Sequence, residues 1–381
     1  MHNESTIHSS KSKYGVIILF YLFFACQFSY VYSGLIAFQF LNMLLGAFSI
    51  FYIYPYLSRN GWFFIILLAV FSTLTTLLSL KFKFGDIAFA VTMPLFAGLI
   101  SLHRHELKWP ALAFCTFSVC YCGYAIIMGW DLNTALFLSS SRNYISVLGI
   151  FSFYCVVIST ASNKLKVMFL VLVSLIILFS NSRSAFISFS LVLMFYICCN
   201  ANKYRKTSFV LVSGVLIILP IVILNYTTEI YDYLYNSLGV VRRLSAGELS
   251  DTGRFDVIKC YYDKFDSFSL LLGLDYFASN TCSFLANGTD NPHNSFIRLY
   301  SNLGLFSLII FYFLLWALIR LFCMREYLLF SFLLCFIARG GTDILFFFQS
   351  WDAYLYSLIF LSLPVFFFNA KGQEKSKIFN I

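Results

Sequence analysis

Charged residues are scarce in this chain: Asp, Glu, Lys and Arg make up 11% of its 381 residues, whereas 60% are hydrophobic. A soluble protein of this size carries roughly 25% charged residues, so a soluble fold is excluded. Apolar runs recur from Tyr14 to Phe368, and most are near the ~20 residues that a helix needs to cross a bilayer. The sequence therefore predicts an all-α, polytopic membrane protein.

Metal-binding patterns, repeats of 20–50 residues and low-complexity segments are also missing. The eleven cysteines are scattered, and most lie in apolar runs, where a thiol packs as a small hydrophobic side chain. We therefore predict no metal site and no cofactor. Cys260 and Cys282 share a polar outer loop, so they are a candidate pair for a disulfide.

Twelve transmembrane spans are predicted, at about 14–33, 35–57, 62–80, 84–102, 109–128, 143–161, 165–181, 184–199, 207–225, 293–319, 327–348 and 351–369. Most basic loop residues, among them Arg59, Arg104, Lys164 and Arg320, fall on one side of these spans. That side is predicted to be cytoplasmic, with both chain termini on it. The net charge of +9 follows from the same rule, so it does not indicate nucleic-acid binding.

The predicted organisation is a single integral membrane domain, 1–381, with one large periplasmic loop at 226–292, between the ninth and tenth spans. Within the loop, Ser250-Asp251-Thr252-Gly253 is typical of a helix start, and Leu272-Gly273 of a helix end. The apolar residues between them recur at helical spacing, which favours a helix lying on the membrane surface. They are Phe255, Ile258, Tyr262 and Phe265.

A polar corner containing His293 leads from this loop into the tenth span. Asn291 is predicted to cap the helix and Pro292 to occupy its first position, which places His293 in the first turn. Unpaired N–H groups there favour anions and a neutral imidazole, which can accept a proton. The alternative is a structural role, which is more common for a lone histidine.

Four arginines are candidates for binding an anionic substrate. Arg254 stands at the start of the predicted surface helix, where it could form a bidentate contact with a diphosphate or a salt bridge to a nearby aspartate. Arg142 and Arg183 occupy short outer loops, where basic residues are disfavoured; each could instead anchor the chain to lipid headgroups. Arg339 lies within a span, so it marks a functional site unless Asp343, four residues on, simply neutralises it.

Three motifs resemble those of the bacterial O-antigen polymerase and O-antigen ligase superfamily. They are His293-Asn294-x-x-Ile297 with Gly304, Gly253-Arg254 late in the loop with Leu272-Gly273 after it, and Ser182-Arg183-Ser184-Ala185. The resemblance covers roughly residues 143–352. The chain departs from the family at Asn302, where an acidic residue is common, and at Phe255, where the aromatic residue follows the arginine directly.

The resemblance implies a GT-C-like glycosyltransferase of the bacterial inner membrane. Its donor and acceptor would be undecaprenyl-diphosphate-linked glycans, and its other partners membrane lipids and a chain-length regulator. It assigns catalysis to His293 as the base, with Arg254 and Arg183 at the diphosphate. Arg339, Asn294 and Arg142 are the candidates for substrate binding. No metal is implied, because the first outer loop, from Ser29 to Gly34, contains no acid.

Within the superfamily, a polymerase joins lipid-linked repeat units, whereas a ligase transfers finished glycan to lipid A core. The Phe-rich chain and compact loops favour the polymerase. A flippase for lipid-linked oligosaccharides and a non-catalytic scaffold are alternatives of other classes. Transporters often show internal repeats, and none is found here.

Overall fold

The computed structural model describes residues 2–78, 84–130, 136–138, 143–180, 182–201, 259–260, 262–263, 267–273 and 294–376. Its helices are α1 (His2–Ser33), α2 (Ile36–Phe48), α3 (Ile50–Ile53), α4 (Arg59–Leu78), α5 (Phe84–Leu102), α6 (Arg104–Ile127), α7 (Asn143–Ile158), α8 (Asn163–Phe179), α9 (Arg183–Ala201), α10 (Ser267–Leu272), α11 (Ser295–Leu303), α12 (Ser307–Cys323), α13 (Tyr327–Thr342), α14 (Asp352–Ser362), α15 (Pro364–Phe367) and α16 (Ala370–Ser376). Two 3₁₀ turns, Tyr54–Tyr56 and Gly304–Phe306, extend α3 and join α11 to α12. Within these ranges the fold is all-helical, as predicted.

Eleven of the twelve predicted spans coincide with helices; the ninth, 207–225, lies outside the described residues. Six helical segments in the described part are long and apolar enough to cross a membrane, and shorter apolar helices accompany them. The chain is therefore a multi-pass membrane protein. The loop 226–292 is described only in small parts, so its boundaries stay a prediction.

Four predicted spans are not single continuous helices. The span 35–57 consists of α2, α3 and a 3₁₀ turn, and the span 351–369 divides at Leu363 into α14 and α15. The span 293–319 divides at Gly304 into α11 and α12. The span 327–348 ends as a helix at Thr342. Residues 345–348 are apolar and buried, but they form a loop instead of continuing the helix. The prediction that the helix continues to residue 348 is therefore wrong, because a buried loop can be as apolar as a helix.

Three helices form the centre of the bundle. In α14 every residue is buried, and in α7 every residue from Ile145 onward is buried. Helix α5 packs against α14 and is buried from Thr92 to Leu102. Peripheral helices instead expose large apolar side chains such as Ile18, Phe63 and Leu315, as expected for surfaces in contact with lipid.

Much of the aromatic surplus packs within the protein. Phe151 lies 5.0 Å from Trp351 and 4.8 Å from Tyr354 between ring centroids, and Phe23 stacks on Phe96 at 3.8 Å. These rings connect α1, α5, α7 and α14. Their burial supports the interpretation that these aromatics are core residues.

The segments predicted to be cytoplasmic meet at one end of the bundle. Arg104 donates to the Ser376 carbonyl oxygen at 3.0 Å, and Lys375 Nζ lies 3.1 Å from His103 Nε2. Asp86 is at the opposite end of α5, which has 19 residues and so spans ~28 Å. We refer to this opposite end, where Asp86 lies, as the outer end. Which end faces the cytoplasm stays a prediction.

Candidate functional site

Helix α11 begins at Ser295, and its N-cap is Asn294. The Asn294 carboxamide oxygen accepts hydrogen bonds from the N–H groups of Phe296 at 2.8 Å and Ile297 at 3.2 Å. The prediction that Asn291 caps the helix is therefore wrong, because Asn294 satisfies the first free N–H groups. His293 precedes the cap instead of lying in the first turn. The Asn294 amide nitrogen also donates to the Gly341 carbonyl oxygen at 3.2 Å, which ties the cap to α13.

Ser295 fastens the start of α11 to the loop that follows α13, residues 343–351. Its hydroxyl donates to the Asp343 carbonyl oxygen at 2.6 Å and accepts from the N–H groups of Leu345 at 2.9 Å and Phe346 at 3.1 Å. The side chain is fully buried. One hydroxyl thus satisfies three backbone groups that would otherwise lie buried without a partner.

The next polar residues of α11 meet Asp86, in the first turn of α5. Arg298 Nη2 lies 3.3 Å from Asp86 Oδ1 and donates to the Phe348 carbonyl oxygen at 3.2 Å. The Asn302 amide donates to Asp86 Oδ2 at 3.1 Å, and the Thr75 hydroxyl of α4 donates to the Asn302 carbonyl oxygen at 2.6 Å. Polar contacts therefore hold α11 along its whole length.

Two glycines make the end of α11 possible. Gly304 has φ 53° and ψ −133°, a conformation that is essentially restricted to glycine. A Cβ built on it would overlap the Leu271 carbonyl oxygen and lie 2.6 Å from the Gly273 nitrogen. Gly273, with φ 83°, ends α10 where the sequence predicted a helix end. The two motif glycines are therefore packed against each other.

The 343–351 loop contains strained backbone. Phe347 and Phe348 have φ 67° and 68°, in the left-handed region that bulky residues seldom adopt. The buried carboxylate of Asp352 holds them: it accepts from the N–H groups of Phe347 at 2.5 Å, Phe348 at 2.6 Å and Gln349 at 3.1 Å. Non-glycine residues persist in this region only where their surroundings enforce it, and such strain concentrates at functional sites.

Arg339, near the end of α13, is 1% exposed. Its guanidinium group donates to the Ser184 hydroxyl of α9 and lies 3.4 Å from the Asp343 carboxylate. The alternative in which Asp343 pairs with Arg339 is therefore confirmed. The same guanidinium group also contacts Ser184 of the Ser182-Arg183-Ser184 motif. The Arg339–Asp343 ion pair is therefore part of the candidate site.

Of the six site residues that the sequence suggested, Arg339 and Asn294 are fully described. Both lie at the outer end, and both are linked to the stretch Gly341–Asp343. Arg183 begins α9 directly before Ser184, but its side chain is outside the described part. His293, Arg254 and Arg142 are also outside the described residues, so their positions stay predictions.

Sequence reasoning missed Ser295 and three charged residues, Asp86, Arg298 and Asp352. The signal for the charged residues was available, because all three fall inside predicted spans, where charge is costly and marks function. Nothing in the sequence distinguishes Ser295 from the many serines that bond within their own helix.

The charges described at the outer end nearly balance. Two guanidinium groups, of Arg298 and Arg339, are placed among three carboxylates, of Asp86, Asp343 and Asp352. In the described part of the chain, no three His, Cys, Asp or Glu side chains are grouped so that they could hold a metal ion. Cys260 is disulfide-bonded; Cys282, its predicted partner, lies outside the described residues.

Comparison with known families confirms the predicted resemblance. Residues 168–312 match a family described as O-antigen ligase. The matched segment contains Ser184, Asn294 and Gly304, whereas Asp86 and Arg339 lie outside it. No curated protein and no solved structure matches the chain.

Proposed function

We propose that this protein, whose residues 168–312 match the O-antigen ligase family, is an O-antigen polymerase of the bacterial inner membrane. It would join undecaprenyl-diphosphate-linked oligosaccharide repeat units at the periplasmic face, with both chain termini in the cytoplasm. The disulfide at Cys260 supports a periplasmic position for the large loop, because disulfides persist in oxidising compartments.

The observation that carries the proposal is the convergence of matched motifs at one end of the bundle. Ser184 and Asn294 are 110 positions apart in the chain, yet both contact the last turns of α13 or the residues beside them. A transfer reaction needs its proton acceptor and its cations within reach of one substrate. Convergence of the motif segments is what such a site requires.

In the proposed mechanism, the acceptor sugar hydroxyl attacks the anomeric carbon of the donor while His293 takes its proton. The bond to the diphosphate breaks, and the lipid diphosphate leaves with the bonding electron pair. A single direct attack inverts the anomeric centre. Asn294 and Arg142 would contribute to substrate binding.

Cations must stabilise the negative charge that develops on the departing diphosphate. Arg339 alone is insufficient, because Asp343 already offsets its charge. We therefore assign the main stabilisation to Arg183 and Arg254, with Arg339 as a fixed third cation. Membrane lipids and a chain-length regulator are the expected further partners.

Deleting the gene and analysing the lipopolysaccharide ladder tests the proposal. A polymerase deletion should leave core carrying a single repeat unit. Full-length lipid-linked polymer with bare core would instead identify a ligase, the second candidate, which the description of the matched family names. An unchanged ladder would exclude both functions.

A His293→Ala variant then distinguishes an enzyme from a flippase or scaffold. The enzyme should lose polymer while the protein remains in the membrane at the normal level. A variant that restores normal ladders would contradict the role of His293 as the base.

A further inference from the structure

Helix α11 begins directly after its cap Asn294, so the orientation of the helix sets the position of that cap. The helix has nine residues, which is too short to be stable alone in water. Its polar residues Ser295, Arg298 and Asn302 follow one another at intervals of three and four, so they share one face. Their partners therefore decide how α11 is held.

Asp86 is the partner that two of these residues have in common. Its two carboxylate oxygens are used separately: Oδ1 faces Arg298 at 3.3 Å and Oδ2 accepts from the Asn302 amide at 3.1 Å. The side chains of Asp86 and Arg298 are each 14% exposed. Charge-assisted hydrogen bonds in such a partly enclosed setting are stronger than surface ion pairs.

The same Arg298 guanidinium group also donates to the Phe348 carbonyl oxygen, in the strained part of the 343–351 loop. Asp86 thereby orients a side chain that connects α5, α11 and this loop. The loop in turn follows α13, which carries Arg339. The Asp86 carboxylate on α5 is thus linked to α11 and, through Arg298, to the loop that follows α13.

We propose that Asp86 is a positioning residue for the glycan transfer: through Arg298 and Asn302 it fixes the angle at which α11 presents the His293–Asn294 corner. The inference rests on the proposed function. It adds a requirement for a carboxylate on a helix outside the matched family segment. Asp86 itself touches no reacting atom.

The geometry provides a specific exchange test. In Asp86→Asn the ion pair with Arg298 is lost, although a carboxamide oxygen can still accept from Asn302. The double variant Asp86→Asn/Asn302→Asp moves the carboxylate to the other end of the same hydrogen bond. It then stands four positions after Arg298 on α11, within reach of that guanidinium group.

The assay uses the full chain purified in detergent and a lipid-linked repeat unit, with elongation followed by gel. The matched control is Asp263→Asn, because Asp263 is exposed and is bonded through its backbone to Lys259. We expect Asp86→Asn to lower kcat by about 10- to 100-fold with little change in KM. The thermal unfolding midpoint of Asp86→Asn should fall by about 2–4 °C, because Arg298 loses its carboxylate partner, and it should recover in the exchange variant. The exchange variant should regain most of the lost kcat.

Three results would overturn the inference. Asp86→Asn could be as active as Asp263→Asn, or its defect could lie mainly in KM. The third result is a loss of both activity and thermal stability in Asp86→Asn that the exchange variant does not recover. The last result would make Asp86 a folding residue. Wild type and His293→Ala are assayed in parallel. If the wild type fails to elongate the glycan, the proposed function is wrong. If His293→Ala elongates normally, the role of His293 as the base is wrong.

Discussion

Replacing Ser295 with alanine tests whether the start of α11 is held as the structure indicates. The substitution removes one oxygen that serves the carbonyl of Asp343 and the N–H groups of Leu345 and Phe346. A buried backbone group left without a partner costs about 1–3 kcal/mol. Three such groups, relieved in part by local relaxation, predict a loss of about 2–4 kcal/mol in the free energy of unfolding.

Ser331→Ala is the matched control. Ser331 is also fully buried, but its hydroxyl only donates to the Leu328 carbonyl oxygen within α13, at 2.7 Å. Such local bonds contribute little to helix stability, so this variant should stay within about 0.5 kcal/mol of the wild type. The two variants have the same change in composition and differ only in what the hydroxyl connects.

Two measurements decide the outcome. Unfolding in mixed detergent micelles gives the difference in free energy, and amide hydrogen exchange reports whether Leu345 and Phe346 lose protection. Equal free energies for Ser295→Ala and Ser331→Ala would refute the reasoning. So would unchanged exchange at both loop amides, because their partner would then not be Ser295.

Three further predictions concern Gly304 at the end of α11, Arg339 in α13, and His103 at the end of the bundle opposite Asp86. Gly304→Ala should lower the free energy of unfolding by about 2–4 kcal/mol, because the backbone conformation of Gly304 excludes a Cβ. The control is Gly341→Ala, which should be neutral or stabilising in the same unfolding assay, because Gly341 has open space around it. Arg339→Lys keeps the charge but not the planar fork, so it should lower kcat/KM for the lipid-linked donor about tenfold. An unchanged kcat/KM would remove Arg339 from the candidate site. Burial lowers the pKa of His103, so the unfolded chain binds the proton more readily than the folded protein. The free energy of unfolding should therefore fall as the pH drops below the ordinary histidine pKa of about 6.5. His103→Gln should flatten that dependence in unfolding curves recorded from pH 7.5 to 5.

Local patterns identified most of the helices. Hydrophobic runs near the thickness of a bilayer identified eleven spans within a few residues, since a backbone in lipid must satisfy its own hydrogen bonds. The same rule failed at residues 345–348, because a buried loop and a buried helix are equally apolar. The helix cap was misplaced by three residues, because both Asn291 and Asn294 have a suitable side chain and only the fold selects one.

The site was predicted in part for a similar reason. The resemblance to a known family identifies Asn294 and Gly304, and charge within a span identifies Arg339. The contacts that arrange them could not be predicted, because Asp86 and Arg298 are 212 positions apart and Ser184 and Arg339 are 155 apart.

The sequence by itself determined that this chain lies in a membrane, which stretches are helical and which residues lie near the ends of the bundle. Hydropathy specifies the depth of each residue, because water and hydrocarbon differ along the membrane normal. It does not specify which helices are neighbours, because the bilayer is the same in every direction within its plane. Only the tertiary structure decided that α5, α9, α11 and α13 meet at one end, through side-chain packing and the few polar groups that must find partners there.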